Sequence, residues 1–458
     1  MAGTGKTLIA ITLCRLLGAD TKLLLGGSFF CSRSTGTVER TDIQRIVPTL
    51  AMVLARELPD YASALAIQLA EKPDVAHWTV RTQIERLLKL PLVKLEQRDR
   101  QIVFVIDALD ECNDQMKLVD FKSESALPVK FRLTSRPEMH IRRTPISNPD
   151  FSSILRLHTI DPTQVTADLD LYIGQNLAKA SDSTTWYTQY DVNTLVQQSC
   201  GLFIFASTVL KYILDRTSDE GRRGRLRKVT QALVLGTATT APLDQIYELV
   251  LTEASRPDKV DSDEIDDTKR VLACILTARA SLSIQALADL IEVSPTSLRG
   301  ALERLPSVVH VPDDNTDPGI RTLHASFGDY MFDRAAKQIQ ITPGFGHDHL
   351  ARGCLRRLGR NDLCFNISRS RSSFEPNPDD MPDWIPPSLL YACLHWAHHL
   401  DKASDCLVSG EEVGRVFRQK LLFWLEVLSV IKELGVASGL LLIAASVVSL
   451  VIYFIHSH

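Results

Sequence analysis

The sequence predicts an α/β fold, with a parallel sheet near the N-terminus followed by mostly helical regions. Short apolar runs alternate with helix-periodic stretches over the first 160 residues. This alternation is typical of a parallel sheet, because each parallel strand needs a crossover connection that a helix usually supplies. Beyond Asp161 the strand pattern fades and apolar residues recur at helical spacing.

Length and composition are those of a folded, multidomain protein. The 458 residues predict about two to four domains, and 45% of them are hydrophobic. A net charge of −4 provides no global basic field, and the arginines in 222–225 are few enough to be a solvated face, so we expect no nucleic-acid partner. Nine scattered cysteines without a C-x-x-C pair indicate reduced thiols in a cytosolic protein.

Several elements of the α/β region can be placed directly. We expect a helix over Thr7–Leu17, ended by Gly18, and further helices over Ile43–Leu58 and Val80–Leu90. The predicted strands are "KLLLGGSFF", "RQIVFVID", "PVKFRLTSRP" and "SSILRLHTI".

The whole chain divides into five predicted segments. They are an α/β domain over 1–160, a small helical domain over 161–235, a winged-helix-like domain over 240–345, a C-terminal helical region over 346–433 and an apolar segment over 434–455. The winged-helix prediction depends on helices that are followed by two short strands, "SVVHVPDD" and "RTLHAS".

The apolar segment 434–455 is a candidate transmembrane helix. Its 22 residues carry no charge and could cross a hydrocarbon core of about 30 Å. Arg418, Lys420 and Lys432 precede it, which favours a tail anchor that leaves the other domains on the cytoplasmic side. The alternative is a buried helix, or translated non-coding sequence.

The first residues, "MAGTGKT", carry the end of a phosphate-binding P-loop. The amides of Gly3, Thr4, Gly5 and Lys6 would hold phosphate oxygens at a helix N-terminus, where the helix dipole favours anions. Lys6 adds a positive charge for the phosphates, and Thr7 a hydroxyl for Mg²⁺. The alternative is an ordinary helix start with threonine as its cap.

A second motif, "VFVIDALDEC", ends an apolar strand in an acid. Ligands of such sheets bind at the carboxyl ends of the strands, so Asp107 is the candidate acid for Mg²⁺. Asp110 and Glu111 follow within one turn and are candidate catalytic residues that orient or activate water. The alternative is that these acids cap the next helix.

The third motif is "LTSRP", in which Arg136 follows a strand that ends at the same edge. Its guanidinium could contact a γ-phosphate and so sense whether that phosphate is present. The alternative is an arginine that is only exposed to solvent.

The segments "AGTGKT", "VFVIDALDEC", "LPVKFRLTSRPE", "CGLFIFASTVLKYI" and "LHASFGDYM", in this order, resemble the NACHT family of STAND signal-transduction NTPases. The resemblance is to the fungal, nephrocystin-like set and covers residues 2 to 430. It implies ATP or ADP with Mg²⁺, held between an α/β domain, a helical domain and a winged helix. It also implies a switch or scaffold of fungal innate-immunity-like recognition, with protein partners that the sequence does not identify.

The resemblance also implies roles for individual residues. The matching positions are Lys6 and Thr7 in the P-loop, Asp107 as the Mg²⁺ acid, Glu111 as the catalytic acid, Arg136 as the sensor and His324 as the winged-helix histidine that contacts an ADP phosphate. For His324 the alternative is a histidine whose hydrogen bonds are satisfied at a strand end.

One departure from the family pattern concerns the P-loop itself. The motif G-x-x-x-x-G-K-[ST] requires a glycine one position before Met1, so we expect a loop truncated within the motif and lacking its preceding strand. That strand is normally central in the sheet. We therefore expect exposed edges beside it, an open pocket and weakened nucleotide affinity.

Three histidines in "LHWAHHL" form a further pattern. His395, His398 and His399 share one helix face by their spacing, which a metal ion would fit. No fourth ligand is evident, which favours an ordinary packing helix.

Two functional hypotheses follow. The first is a nucleotide-dependent signalling switch that binds ATP or ADP with Mg²⁺ and hydrolyses ATP slowly. The alternative is a non-catalytic interaction module, or a gene-model fragment, that does not bind nucleotide. A small-molecule kinase is disfavoured, because no acceptor-substrate lid follows the P-loop.

Overall fold

The structure is a computed structural model that describes most of the chain in two compact units, Met1–Leu210 and Lys211–His458. The described residues are 5–32, 38–72, 75, 78–95, 100–112, 129–135, 161–181, 186–235, 241–255, 262–312, 319–335, 340–372, 377, 384–403 and 410–456. Side chains of residues 38, 39, 234, 235, 262 and 448–456 are left out of the description.

The first unit contains a parallel sheet of three strands among its described residues. The strands are β1 (Leu23–Phe30), β2 (Gln101–Asp107) and β3 (Val129–Leu133). Their order is β1-β2-β3, with Phe30 paired to Asp107 and Ile106 to Leu133. The α/β prediction is confirmed, and three of the four predicted strands are present. The fourth, "SSILRLHTI", lies outside the described residues.

The helices of the first unit precede, separate and follow these strands along the chain. They are α1 (Lys6–Ala19), α2 (Val38–Thr41), α3 (Ile46–Glu57), α4 (Pro59–Glu71), α5 (Val80–Gln83), α6 (Leu90–Val93), α7 (Pro162–Lys179), α8 (Gln189–Gln198) and α9 (Phe203–Leu214), which extends into the second unit. A 3₁₀ turn over Ile43–Arg45 precedes α3, and a π-helical segment over Ile84–Lys89 joins α5 to α6.

Helix α1 covers one face of the sheet and runs antiparallel to its strands. Ala10 and Leu17 pack against Val103 and Val105 of β2. A short turn joins α1 to β1, and the Asp20 carboxylate closes it by accepting hydrogen bonds from two backbone amides, those of residues 22 and 23, at 2.7 and 2.8 Å. The N-terminus of α1 therefore lies toward the carboxyl edge of the sheet.

The opposite face of the sheet holds the larger core. Ile102, Phe104 and Ile106 of β2 pack there with apolar residues of β1 and of helices α3–α6. At Gly26 in β1, an added Cβ would lie 2.6 Å from Ile102 and 2.8 Å from Phe104, so only glycine allows this close approach.

The exposed edges expected beside a missing strand stay a prediction. In the described sheet, β2 is hydrogen-bonded along both sides, whereas β1 and β3 each pair along one side. β2 and β3 pair directly from Ile102–Val129 to Ile106–Leu133, which satisfies backbone groups that would otherwise lack partners. The strand that carries Asp107 is thus the central strand of the described sheet.

The second unit is mainly helical. Its helices after α9 are α10 (Asp219–Leu235), α11 (Pro242–Ala254), α12 (Ser262–Thr277), α13 (Ile284–Ile291), α14 (Pro295–Glu303), α15 (Ala325–Asp333), α16 (Pro343–Gly359), α17 (Pro387–Lys402), α18 (Gly410–Val430) and α19 (Ala437–His456). Strands β4 (Val309–His310) and β5 (Arg321–Thr322) form an antiparallel pair between α14 and α15. The two short strands predicted here are present, whereas the winged-helix fold and the five segment boundaries stay predictions.

Helix α16 packs closely against α12, α13 and α17. A Cβ at Gly346 would clash with the backbone oxygen of Ala273 in α12, and one at Gly353 with that of Leu290 in α13. Buried Arg357 forms ion pairs with Asp289 at 3.0 Å and Asp362 at 2.6 Å. Small residues and a paired buried charge therefore hold α16 in its place.

The predicted transmembrane helix is not supported. In the part of the chain that the structure describes, no helix combines the length and apolarity that a membrane crossing requires. Leu434–Val436 form a 3₁₀ turn, and α19 begins only at Ala437. Helix α19 packs against α17, and Ala437, Leu440 and Ala444 are buried in the unit. The segment is uncharged, and at these positions it contributes to protein packing.

We predict that Gly353→Ala lowers the free energy of unfolding by about 1–3 kcal/mol, because the added methyl group would force α16 away from α13. Urea titration followed by circular dichroism measures this change. Gly300→Ala in α14 is the control: its added Cβ meets nothing within 4 Å, so we expect no loss of stability. Equal effects of the two substitutions would contradict the predicted helix contact.

Candidate functional site

The carboxyl edge of the parallel sheet brings the ends of all three strands together. The Cys31 amide, just after β1, donates to the Asp107 carbonyl at 3.0 Å. The Thr134 amide, just after β3, donates to the Ile106 carbonyl at 2.9 Å. Asp107 thus lies between the two neighbouring strand ends, at the edge where ligands of parallel α/β sheets bind.

Asp107 is buried, with 1% of its surface exposed. The Thr134 hydroxyl donates a short hydrogen bond to the Asp107 carboxylate oxygen Oδ1. Side chains alternate along a strand, so Asp107 shares the sheet face of Val103 and Val105, which is the face that α1 covers. The carboxylate therefore lies on the α1 side of the sheet, at the end toward which the N-terminus of α1 points.

A tight turn follows Asp107 and positions the other two acids. Ala108 adopts a left-handed conformation with φ of 52°, and Leu109–Glu111 form a 3₁₀ turn. Asp110 is buried at 3% exposure, while Glu111 is half-buried. Of the two predicted catalytic acids, Glu111 is the more accessible to a water molecule.

The N-terminus of α1 follows a glycine in a left-handed backbone conformation. Gly5 precedes the helix with a φ of 84°, in the left-handed region that favours glycine. The N-cap residue is Gly5, which makes no side-chain cap hydrogen bond, and Thr7 lies within the first turn of the helix. Lys6 is half-buried and Thr7 is exposed in the first turn.

Three predicted site residues lie outside the described residues. They are Gly3 and Thr4 of the loop and the sensor candidate Arg136.

Two cysteine thiols meet beside the Asp107 edge. The Cys112 thiol donates to the Cys31 sulfur at 3.2 Å, and both residues are buried. This hydrogen bond and burial raise the pKa of the Cys31 thiol far above its usual range. The Cys31 thiol is therefore protonated, as expected of a reduced core cysteine.

His324 lies in the second unit and caps α15. Its Nδ1 accepts a hydrogen bond from the Ser326 amide at 3.1 Å and lies 2.6 Å from the Ser326 hydroxyl. That hydroxyl also contacts the Tyr247 hydroxyl at 2.8 Å. These contacts agree with the alternative interpretation, a histidine whose hydrogen bonds are satisfied at a strand end. Its role toward a nucleotide stays a prediction.

The "LHWAHHL" histidines lie in the packing core of α16 and α17. His399 Nδ1 contacts His347 Nδ1 at 2.8 Å, and His399 Nε2 contacts the Tyr391 hydroxyl at 2.7 Å. Burial, followed by the charge of Arg279, lowers the pKa of His347 to about 4 and that of His395 to about 3. Burial also lowers the pKa of His399 well below its usual value. Among the described residues, no group of three or more His, Cys, Asp or Glu side chains could hold a metal ion.

The structure adds a residue to which the sequence assigned no role. Thr134 appeared only within the "LTSRP" motif, yet its side chain contacts Asp107 directly. The sequence signal that could have indicated this residue was its position, because Thr134 is a polar residue directly after β3. Its contact with Asp107 depends on the pairing of β2 with β3, which the sequence pattern does not specify.

Residues 1–136 match the family model described as Nephrocystin 3, N-terminal. This family is related to the NACHT NTPase region, and no separate NACHT or P-loop model matches. The matched residues include the predicted phosphate-binding residues, Asp107, Glu111, Thr134 and Arg136, but they cover less than half of the chain. No curated protein matches the chain. Similarity to the nephrocystin family is thus confirmed for the N-terminal region.

We predict that acid destabilises the second unit through its buried histidines. Below about pH 6.5 the unfolded chain binds protons that these rings exclude in the folded state, so the free energy of unfolding falls as pH decreases. The slope is about 1.4 kcal/mol per pH unit for each such ring, down to its folded pKa. Urea titrations between pH 7.5 and 5 measure this effect.

The variant His395→Leu tests this cause. Nδ1 of His395 is buried without a hydrogen-bond partner in the described part of the chain, so leucine removes a titrating group at little cost in polar contacts. We expect a shallower loss of stability below pH 6.5 and no change in slope above pH 7. An unchanged acid slope would contradict the assignment to His395.

Proposed function

We propose that the N-terminal unit binds a nucleoside triphosphate or diphosphate with Mg²⁺ at the carboxyl edge of its sheet. In this proposal the protein is a nucleotide-dependent signalling switch of the NACHT type, and its second unit contains a winged-helix-like region. The observation that carries the proposal is that the Gly5-Lys6-Thr7 end of α1 and the Asp107 end of β2 point to the same edge and the same face of the sheet. The match to the nephrocystin family over residues 1–136 supports it.

The residues present fit a magnesium nucleotide in their chemistry. Mg²⁺ prefers oxygen ligands and usually takes only one or two carboxylates from a protein, the remainder coming from phosphates and water. The Asp107 carboxylate and the Thr7 hydroxyl would hold it, and the ion would neutralise charge on the phosphates. Lys6 and the first amides of α1 would bind phosphate oxygens. A carboxylate oxygen of Glu111 would accept a proton from the attacking water.

A second function is favoured by one specific observation. Asp107 is almost fully buried, and its carboxylate is already bonded to Thr134. In a non-catalytic scaffold, this carboxylate would serve only to hold the β2–β3 edge together. The scaffold hypothesis therefore predicts no nucleotide binding, with the same fold.

We predict that Lys6→Ala reduces nucleotide affinity at least about tenfold, because one charge-assisted contact to phosphate is lost. Titration of a fluorescent ATP analogue in the presence of Mg²⁺ measures this affinity. Lys22→Ala is the matched control, since Lys22 is exposed in the α1–β1 turn at the other end of the sheet. Equal affinity of Lys6→Ala and the wild type would contradict the P-loop role, and no binding by the wild type would favour the scaffold.

A further inference from the structure

Thr134 makes four hydrogen bonds to the end of β2 and to the turn that follows it. Its amide donates to the Ile106 carbonyl at 2.9 Å, and its carbonyl accepts from the Leu109 amide at 3.0 Å. Its hydroxyl donates to the Asp107 carboxylate and accepts from the Ala108 amide at 2.9 Å. A single residue on the neighbouring strand thus contacts four consecutive residues of the proposed site.

The hydrogen-bond pattern determines where the hydroxyl proton lies. A threonine hydroxyl has one proton to donate and two lone pairs that accept. The Ala108 amide donates to the hydroxyl oxygen, and the hydroxyl donates its proton to Asp107 Oδ1. A carboxylate has about four lone-pair sites, so this bond leaves others that can bind a cation.

The side chain of Thr134 is well suited to hold this geometry. Threonine is branched at Cβ, so few rotamers are available to it. The hydroxyl bond to the Ala108 amide also supports the left-handed backbone at Ala108, a conformation that costs a residue with a side chain about 1–2 kcal/mol. Thr134 consequently constrains both the Asp107 carboxylate and the turn that leads to Glu111.

We propose that Thr134 is a positioning residue that orients the Asp107 carboxylate toward Mg²⁺. This inference rests on the proposed function, because it assigns a role within the same site. Thr134 does not itself contact the nucleotide in this proposal. It acts through Asp107, as hydrogen-bond partners of metal ligands commonly do.

The test compares Thr134→Val with Thr134→Ser. Valine has nearly the same shape but no hydroxyl, and the two backbone bonds of residue 134 remain possible. Serine keeps the hydroxyl. Thr322→Val in β5, also a buried strand threonine, is the control for the substitution itself. If Thr134→Val does not fold, as judged by circular dichroism, Thr134→Ala replaces it as the variant without a hydroxyl.

A fluorescent ATP analogue is titrated with and without Mg²⁺ for each variant. We expect Thr134→Val to weaken binding in Mg²⁺ by roughly 10–100-fold, the usual effect of removing a partner of a metal ligand. Binding without Mg²⁺ should be unchanged, and Thr134→Ser should retain most of the response to Mg²⁺. A merely structural role would weaken binding equally with and without the ion.

The outcomes separate the two proposals. If the wild type binds nucleotide and Thr134→Val keeps the wild-type response to Mg²⁺, the positioning role is overturned and the proposed function stands. The role is also overturned if Thr134→Ser loses that response as completely as valine does. If the wild type binds no nucleotide under either condition, the proposed function fails, and the role of Thr134 fails with it.

Discussion

Backbone hydrogen bonds on both sides of β2 hold the carboxyl edge of the sheet in place. The edge brings together Asp107, the strand-end amide of Cys31 and Thr134, which come from distant parts of the sequence. β2 is also buried on both faces, between α1 and the larger core, which explains its nearly continuous apolar sequence. If β2 were displaced, Asp107, Asp110 and Glu111 would all be displaced with it.

The second unit depends on a different constraint, the close packing of α16. Glycine at positions 346 and 353 lets neighbouring helix backbones approach, and buried Arg357 keeps its charge paired with two aspartates. The buried imidazoles of α16 and α17 pack in the same core in neutral form. These features stabilise the second unit. The proposed nucleotide binding does not depend on them.

The elements of the candidate site follow from local patterns in the sequence, whereas some of their contacts do not. The strand ending in Asp107 and the helix beginning after Gly5 were predicted from apolar runs and a glycine-rich start, and the structure has both. The contact of Thr134 with Asp107 was missed, because hydrogen-bond partners across strands depend on which strands are neighbours. The membrane anchor was predicted from charge and length alone. Those two properties do not distinguish lipid from the apolar surface of another helix, such as α17 against α19.

The sequence by itself determined the α/β character of the N-terminal region and the residue types on which the proposed nucleotide site depends. Local periodicity and short motifs are sufficient for these conclusions, because they depend on neighbours along the chain. Only the tertiary structure decided that β2 and β3 are adjacent, that Asp107 is buried and bonded to Thr134, and that His324 caps a helix. Such contacts join residues far apart in sequence, and strand order and packing decide them.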